Sequence, residues 1–154
     1  MRTWRAERAR WQFFTAAIIR ERPPLAPTAR RAGWVGSNIL LRDVPESGKV
    51  WLVRGGEALG RDAVLAQWRS TLFLREAGQA ARGWLIEVMK CAEALGRESF
   101  ELGDVYAFED RLAALYPGNN NVRPKIRQQL QVLRDRGWLE FLGRGRYRVR
   151  GTVG

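Results

Sequence analysis

The sequence predicts an α+β protein, and two observations support this prediction. In residues 79–154, three segments with apolar residues at helical spacing are followed by two short alternating segments around a glycine-rich turn. In residues 1–78, β-rich segments and turn residues precede one amphipathic helix. A short segment containing Gly78 separates the two patterns, so we expect two small domains with a boundary near this glycine.

Composition narrows the functional classes. The chain has 154 residues, 45% of them hydrophobic, with a formal net charge of +11. The positive charge is mostly arginine, which favours recognition of phosphates and base edges. The absence of histidine excludes histidine-based catalytic triads and histidine-containing zinc sites. The single cysteine, Cys91, excludes an internal disulfide, and its place on an apolar helix face predicts a small core residue rather than a nucleophile.

The N-terminal half is predicted to contain a β-hairpin and a helix. Residues 1–10 are arginine-rich and patternless, so we expect disorder there. The hairpin would pair residues 37–41 with residues 50–53 across a turn at residues 43–48. Apolar residues on one face then predict a helix over residues 62–74.

The C-terminal half has the element order of a winged helix-turn-helix. A helix over residues 84–95 is followed by a very short strand at residues 100–102 and a second helix over residues 105–115. The third helix ends at Gly137, and a hairpin with the tip Gly143-Arg144-Gly145-Arg146 follows it. In such domains the third helix enters the major groove and the tip of the hairpin, the wing, lies along the DNA backbone.

The third helix carries most of the predicted site. Val122, Ile126, Leu130 and Leu133 form one apolar stripe, and the remaining surface is rich in arginine and glutamine. We expect the asparagines to cap the helix and to approach phosphates or bases, and the wing arginines to bind the backbone. The predicted DNA-binding residues are Asn119, Asn120, Asn121, Arg123, Lys125, Arg127, Gln128, Gln131, Arg144 and Arg146. Two alternatives stay open: a solvated surface helix, and a winged helix that contacts other proteins.

Several stretches of the chain resemble one protein family. Residues 100–109, 116–130, 133–137 and 143–147 are similar to the C-terminal winged helix of DpnI and the Dam-replacing proteins. Residues 13–15, 18–19, 25–36 and 38–41 resemble the end of their nuclease domain. These are methyl-directed type II restriction endonucleases. The resemblance implies a GATC-type target with N6-methyladenine, and it implies that residues 1–78 are the C-terminal remnant of a PD-(D/E)xK nuclease domain.

The catalytic motif of that nuclease is not found in this sequence. The family's core uses an Asp and a Glu-x-Lys or Glu-x-Gln set that holds Mg²⁺, and no Asp or Glu stands two residues before a lysine here. We therefore expect no catalytic and no metal-binding residue in the chain. It would bind DNA without cutting it, and Mg²⁺ would be needed only if a separately encoded nuclease half were supplied.

The expected partner is therefore double-stranded DNA, with a separate nuclease half as a possible second partner. No apolar run reaches the length of a membrane span, and we expect a cytoplasmic, nucleoid-associated protein. Three alternatives stay open: an active methyl-directed endonuclease when complemented by a catalytic half, a stand-alone winged-helix regulator, and a truncated relic.

Overall fold

The computed structural model describes residues 19–150, except for the side chain of Gln79. Its contacts divide the chain into two compact units, Met1–Val44 and Pro45–Gly154. This division falls earlier than the boundary predicted near Gly78, which stays a prediction. The predicted disorder of residues 1–10 lies outside the described residues.

The described part of the first unit is a hairpin with an extended loop. Strand β1 (Ile19–Glu21) pairs antiparallel with β2 (Ser37–Ile39). The ladder continues into the loop, because the Arg22 amide donates to the Gly36 carbonyl at 2.9 Å. Gly36 is buried, and a Cβ there would lie 2.9 Å from the Trp34 ring, so a larger residue would displace this tryptophan. A 3-10 turn, Leu41–Asp43, follows β2.

The predicted pairing of residues 37–41 with residues 50–53 is wrong, although small hairpins are present. β2 pairs with β1, and β3 (Val53–Arg54) pairs with β4 (Glu57–Ala58). One physical reason is that the predicted turn does not fold as a hairpin turn. Its second half folds into a 3-10 turn, Glu46–Gly48, whose amides are bound by a distant carboxylate. Glu93 accepts the amide protons of Glu46 at 2.7 Å and Ser47 at 3.0 Å, so this segment is held by tertiary contacts.

A buried arginine connects the two long helices of the second unit. Helix α1 (Arg61–Glu76) confirms the helix predicted over residues 62–74, and α2 (Gln79–Ala94) follows it after two residues. The Arg82 guanidinium donates to the carbonyls of Leu74 at 2.7 Å and Ala77 at 2.8 Å. It thereby satisfies carbonyls that a helix C-terminus leaves without intrahelical partners.

The remaining elements form the predicted winged helix. They are β5 (Ser99–Glu101), α3 (Leu102–Tyr106), α4 (Glu109–Leu115), α5 (Val122–Asp135), β6 (Leu139–Gly143) and β7 (Arg146–Val149). The three strands form one antiparallel sheet in the order β5-β7-β6. Helices α2, α3, α4 and α5 bury one apolar core against it, with Met89, Val105, Leu112, Ile126, Leu130 and Leu133 fully buried. The α+β class and the C-terminal winged helix-turn-helix are confirmed.

Two details of this domain bear on the sequence-based predictions. The second predicted helix is in fact two helices, because the chain turns at Ala107 and Phe108, where the Phe108 amide donates to the Val105 carbonyl. Val105 in the first of these helices and Leu112 in the second are both fully buried in the core. Cys91 is fully buried, as predicted for a core residue, and burial raises the pKa of its thiol to about 11.

Candidate nucleic-acid interface

Helix α5 forms as its sequence predicts. Its buried residues are Val122, Ile126, Gln129, Leu130 and Leu133, which add one glutamine to the predicted apolar stripe. Gly137 has a φ of 76°, the left-handed conformation that ends a helix, and its amide donates to the Arg134 carbonyl at 2.9 Å. One face of α5 is therefore fixed in the core, and the opposite face is exposed.

The asparagines before α5 are arranged differently from the prediction. Asn119 Oδ1 accepts the amide proton of Asn121 at 2.8 Å, so this side chain organises the turn that precedes the helix. Asn121 directly precedes the helix, but its side chain forms no capping bond. Pro124 has no backbone N–H group, so it adds no unsatisfied donor to the first turn.

An open groove lies at this end of the helix. Its lining consists of Gly118, Asn119, Asn120, Asn121, Pro124, Lys125 and Gln128. Lys125 Nζ donates to Gln128 Oε1 at 2.8 Å, so the glutamine amide is oriented by the lysine. Five predicted site residues thus meet in one groove, at the helix end where the backbone dipoles favour an anion.

The outer face of α5 continues from this groove. Pro124, Gln128 and Gln131 are exposed at helical spacing, on the side opposite the buried stripe. Gln131 makes no side-chain hydrogen bond among the described residues. Its amide is therefore available to a ligand.

Tyr106 at the end of α3 positions two of the predicted arginines. Arg127 Nε donates to the Tyr106 hydroxyl at 2.7 Å, and the Arg123 guanidinium lies 5.2 Å from the centre of the Tyr106 ring. Arg123 Nε also lies 2.6 Å from Glu109 Oε2. Both arginines therefore lie on the flank of α5 that faces α3 and α4, and neither is free to sample all its rotamers.

The start of α3 is itself fixed. The Glu101 amide donates to Asp104 Oδ2 at 2.8 Å, and Arg97 pairs with the same carboxylate at 3.0 Å. The Glu101 amide, and the Arg97 charge after it, hold the pKa of Asp104 below its usual range. Tyr106 thus extends from a helix whose first turn is tied at its N-terminus.

Tyr147 on β7 fixes the wing to the core of the domain. Its ring lies between Phe100 and Phe141, with centroid distances of 5.8 and 5.4 Å. Burial raises the pKa of Tyr147, and the charges of Arg134 and Arg127 offset part of this rise. The Tyr147 ring therefore joins all three strands of the sheet.

The tip of the wing is a tight turn that presents one arginine. Arg144 has a φ of 48° and Gly145 a φ of 76°, both in the left-handed region that two-residue hairpin loops require. Arg144 is the one non-glycine residue in the described chain with a positive φ. The Leu102 amide donates to the Gly145 carbonyl at 2.8 Å, so the tip is bound to the start of α3.

The wing arginines divide into two pairs. Arg148 lies 3.6 Å from both Glu98 and Glu140, and Arg150 lies 3.9 Å from Glu140. Arg144 and Arg146 are exposed, and neither forms an ion pair with any residue between 19 and 150. The two arginines predicted to bind the DNA backbone are therefore the two whose charge is not neutralised by a neighbour.

Tyr106 and Glu109 are the residues that the sequence-based prediction missed. Tyr106 lies 21 positions before Arg127 and Glu109 lies 14 positions before Arg123. No local pattern marks either of them, because their role depends on how α3 and α4 pack against α5. The signal available was an arginine-rich helix that follows segments with a tyrosine and a glutamate, both of which are half-buried in the structure.

The described chain offers neither a cluster of metal ligands nor a membrane-spanning helix. Between residues 19 and 150, no three side chains of histidine, cysteine, aspartate or glutamate come together in a way that could hold a metal ion. None of the described helices is both long enough and apolar enough to cross a bilayer.

Comparison with protein-family models assigns both halves of the chain. The model of the Dam-replacing helix-turn-helix domain matches residues 80–149, and the model of the Dam-replacing family matches residues 9–77. The first match covers the whole interface described above, and a helix-turn-helix domain of this kind binds DNA. The protein thus belongs to the DpnI-like Dam-replacing family, and its C-terminal domain is that family's DNA-binding helix-turn-helix domain.

Proposed function

We propose that the chain binds duplex DNA sequence-specifically at a GATC-type site that carries N6-methyladenine. The observation that carries this proposal is that one domain exposes three basic or polar elements. The groove at the N-terminus of α5, the arginines held by Tyr106 and the unpaired wing arginines lie on a single domain. A duplex could contact the groove-reading helix and the wing together.

The chemistry of α5 suits a major-groove reader. Arginine pairs bidentately with guanine, and glutamine pairs bidentately with adenine. The methyl group of N6-methyladenine projects into the same groove, so its recognition requires an apolar contact beside a hydrogen bond. The groove at the N-terminus of α5 offers both kinds of contact, because the Pro124 ring and the Gln128 amide line it together.

Cleavage is not part of this proposal. The residues do not fit the Mg²⁺ site of a PD-(D/E)xK nuclease, since no Asp or Glu stands two residues before a lysine in the sequence. In this proposal the chain binds DNA without a metal, and cleavage requires a Mg²⁺ site that these residues do not supply.

The decisive experiment compares methylated, hemimethylated and unmethylated GATC duplexes with a scrambled duplex at one stated salt concentration. We expect the fully methylated duplex to bind most tightly, by about a thousandfold or more over the scrambled one. Titrations in EDTA and in Mg²⁺ should give the same affinity and leave the duplex intact. Equal affinity for all four duplexes would refute the proposed specificity, and cutting by the purified chain would refute the proposed division of labour.

Replacing Tyr106 by phenylalanine should weaken binding to the methylated duplex by about threefold to tenfold. The change removes the hydroxyl that accepts from Arg127 at 2.7 Å, and a hydrogen bond of this kind contributes about 0.5–1.5 kcal/mol. Fluorescence anisotropy measures the effect. Tyr116→Phe is the matched control, because Tyr116 stacks on Trp84 at 4.3 Å and contacts neither arginine. An equal loss in both variants would show that Tyr106 does not act through Arg127.

A further inference from the structure

One predicted site arginine differs from the others in its partner. Arg123 Nε lies 2.6 Å from the carboxylate of Glu109, the first residue of α4. Arg127 is held by the neutral hydroxyl of Tyr106, and Arg144 and Arg146 form no ion pair with any described residue. Of the four arginines in the predicted site, Arg123 is therefore the one that already pairs with a carboxylate among the described residues.

The pair lies where a phosphate could reach it. The Arg123 side chain is 60% exposed and the Glu109 side chain 33% exposed. Arg123 stands in the first turn of α5, next to the groove. A carboxylate and a phosphate bind the same donor geometry of a guanidinium, so the two anions compete for Arg123.

The energy of the pair makes this competition measurable. An exposed ion pair contributes little to stability, so DNA can displace Glu109 without unfolding the domain. After displacement the Glu109 carboxylate is left next to the DNA backbone, where it repels the phosphates. Both effects weaken binding by an amount that does not depend on the base sequence.

We propose that Glu109 is an intramolecular competitor of DNA phosphate for Arg123 and lowers the affinity of this interface for every duplex. The inference rests on the proposed function, because it requires the face of α5 that carries Arg123 to meet DNA. Its consequence is a weaker electrostatic, sequence-independent contribution to binding than the charge of the domain alone would produce. Base contacts then account for a larger share of the affinity at a cognate site.

The test uses two variants that remove the same charge from the same helix turn. Glu109→Gln removes the carboxylate that pairs with Arg123, whereas Asp110→Asn removes its exposed neighbour, which pairs with no cation among residues 19–150. Each variant is titrated with the methylated and the scrambled duplex at several salt concentrations. Thermal unfolding of both variants checks that α4 remains folded.

We expect Glu109→Gln to raise the affinity for both duplexes by about twofold to fivefold more than Asp110→Asn does. The dependence of log K on log salt should steepen by up to about 0.9, because loss of the competing carboxylate adds one net positive charge to the interface. In an Arg123→Gln background, Glu109→Gln should raise the DNA affinity no more than Asp110→Asn does, because the guanidinium for which Glu109 and DNA compete has been removed.

Two outcomes would overturn the inference. If Glu109→Gln and Asp110→Asn behave alike, the effect is general repulsion and not competition for Arg123. If Glu109→Gln weakens binding, Glu109 instead orients Arg123 for the DNA. Failure of the proposed function is seen separately, in the wild-type chain, as the lack of any preference for the methylated duplex.

Discussion

Replacing Arg127 by alanine is expected to weaken binding to the methylated GATC duplex by about fivefold to 150-fold while changing the affinity for a scrambled duplex little. Arg127 is exposed on α5 and its guanidinium is positioned by Tyr106 at 2.7 Å, as a base-reading arginine must be. A bidentate contact with guanine contributes about 1–3 kcal/mol and acts at one base pair only. Anisotropy titrations with both duplexes measure the two affinities.

The wing supplies the comparison for this experiment. Arg144→Ala should weaken binding to both duplexes alike and reduce the salt dependence of log K by about 0.9, because Arg144 is predicted to contact a phosphate. Arg148→Ala is the matched control, since Glu98 and Glu140 already lie 3.6 Å from that side chain. If Arg127→Ala and Arg144→Ala both lowered the two affinities equally, base reading by α5 and backbone binding by the wing would not be separate roles.

Replacing Leu130 by alanine should have the largest effect on stability. Leu130 is fully buried where α5 packs in the core, so the truncation removes apolar contacts and leaves a cavity. Such changes lower the free energy of unfolding by about 2–5 kcal/mol. Urea unfolding followed by tryptophan fluorescence measures the loss, because the buried Trp84 and Trp138 report on the same core.

Leu115 gives the matched control for this prediction. It is 43% exposed at the end of α4, so Leu115→Ala should lower the free energy of unfolding by less than about 1 kcal/mol. The comparison separates burial from side-chain size, since the same atoms are removed at both positions. Equal losses would contradict the packing of α5 described above, and no loss at Leu130 would do so as well.

The sequence predicts the C-terminal winged helix correctly but not the N-terminal hairpin. The winged helix was predictable because its signals are local: apolar stripes at helical spacing, a glycine stop at Gly137 and a glycine-flanked hairpin tip. Each signal involves residues within one element or one turn. The N-terminal hairpin was mispredicted because β-rich segments do not specify their partners, and β2 found its partner in residues 19–21.

The second predicted helix shows that apolar spacing can miss a break within one element. Val105, Phe108 and Leu112 are spaced as in a continuous helix, yet the chain turns at Ala107 and Phe108. Apolar spacing alone does not distinguish one bent element from one straight helix. The backbone conformation at Ala107 and Phe108, which the apolar spacing does not encode, makes the break.

By itself, the sequence determined the α+β class, the winged-helix order and the residues that α5 and the wing expose. The tertiary structure alone decided which of those residues are engaged. Arg123 is paired with Glu109, and Arg127 is held by Tyr106. Arg148 lies near Glu98, just before β5, and near Glu140 in β6. Arg144 and Arg146 form no ion pair among the described residues. The physical reason is that helix spacing is a property of neighbouring residues, while an ion pair or hydrogen bond depends on side chains that only packing brings within about 3 Å.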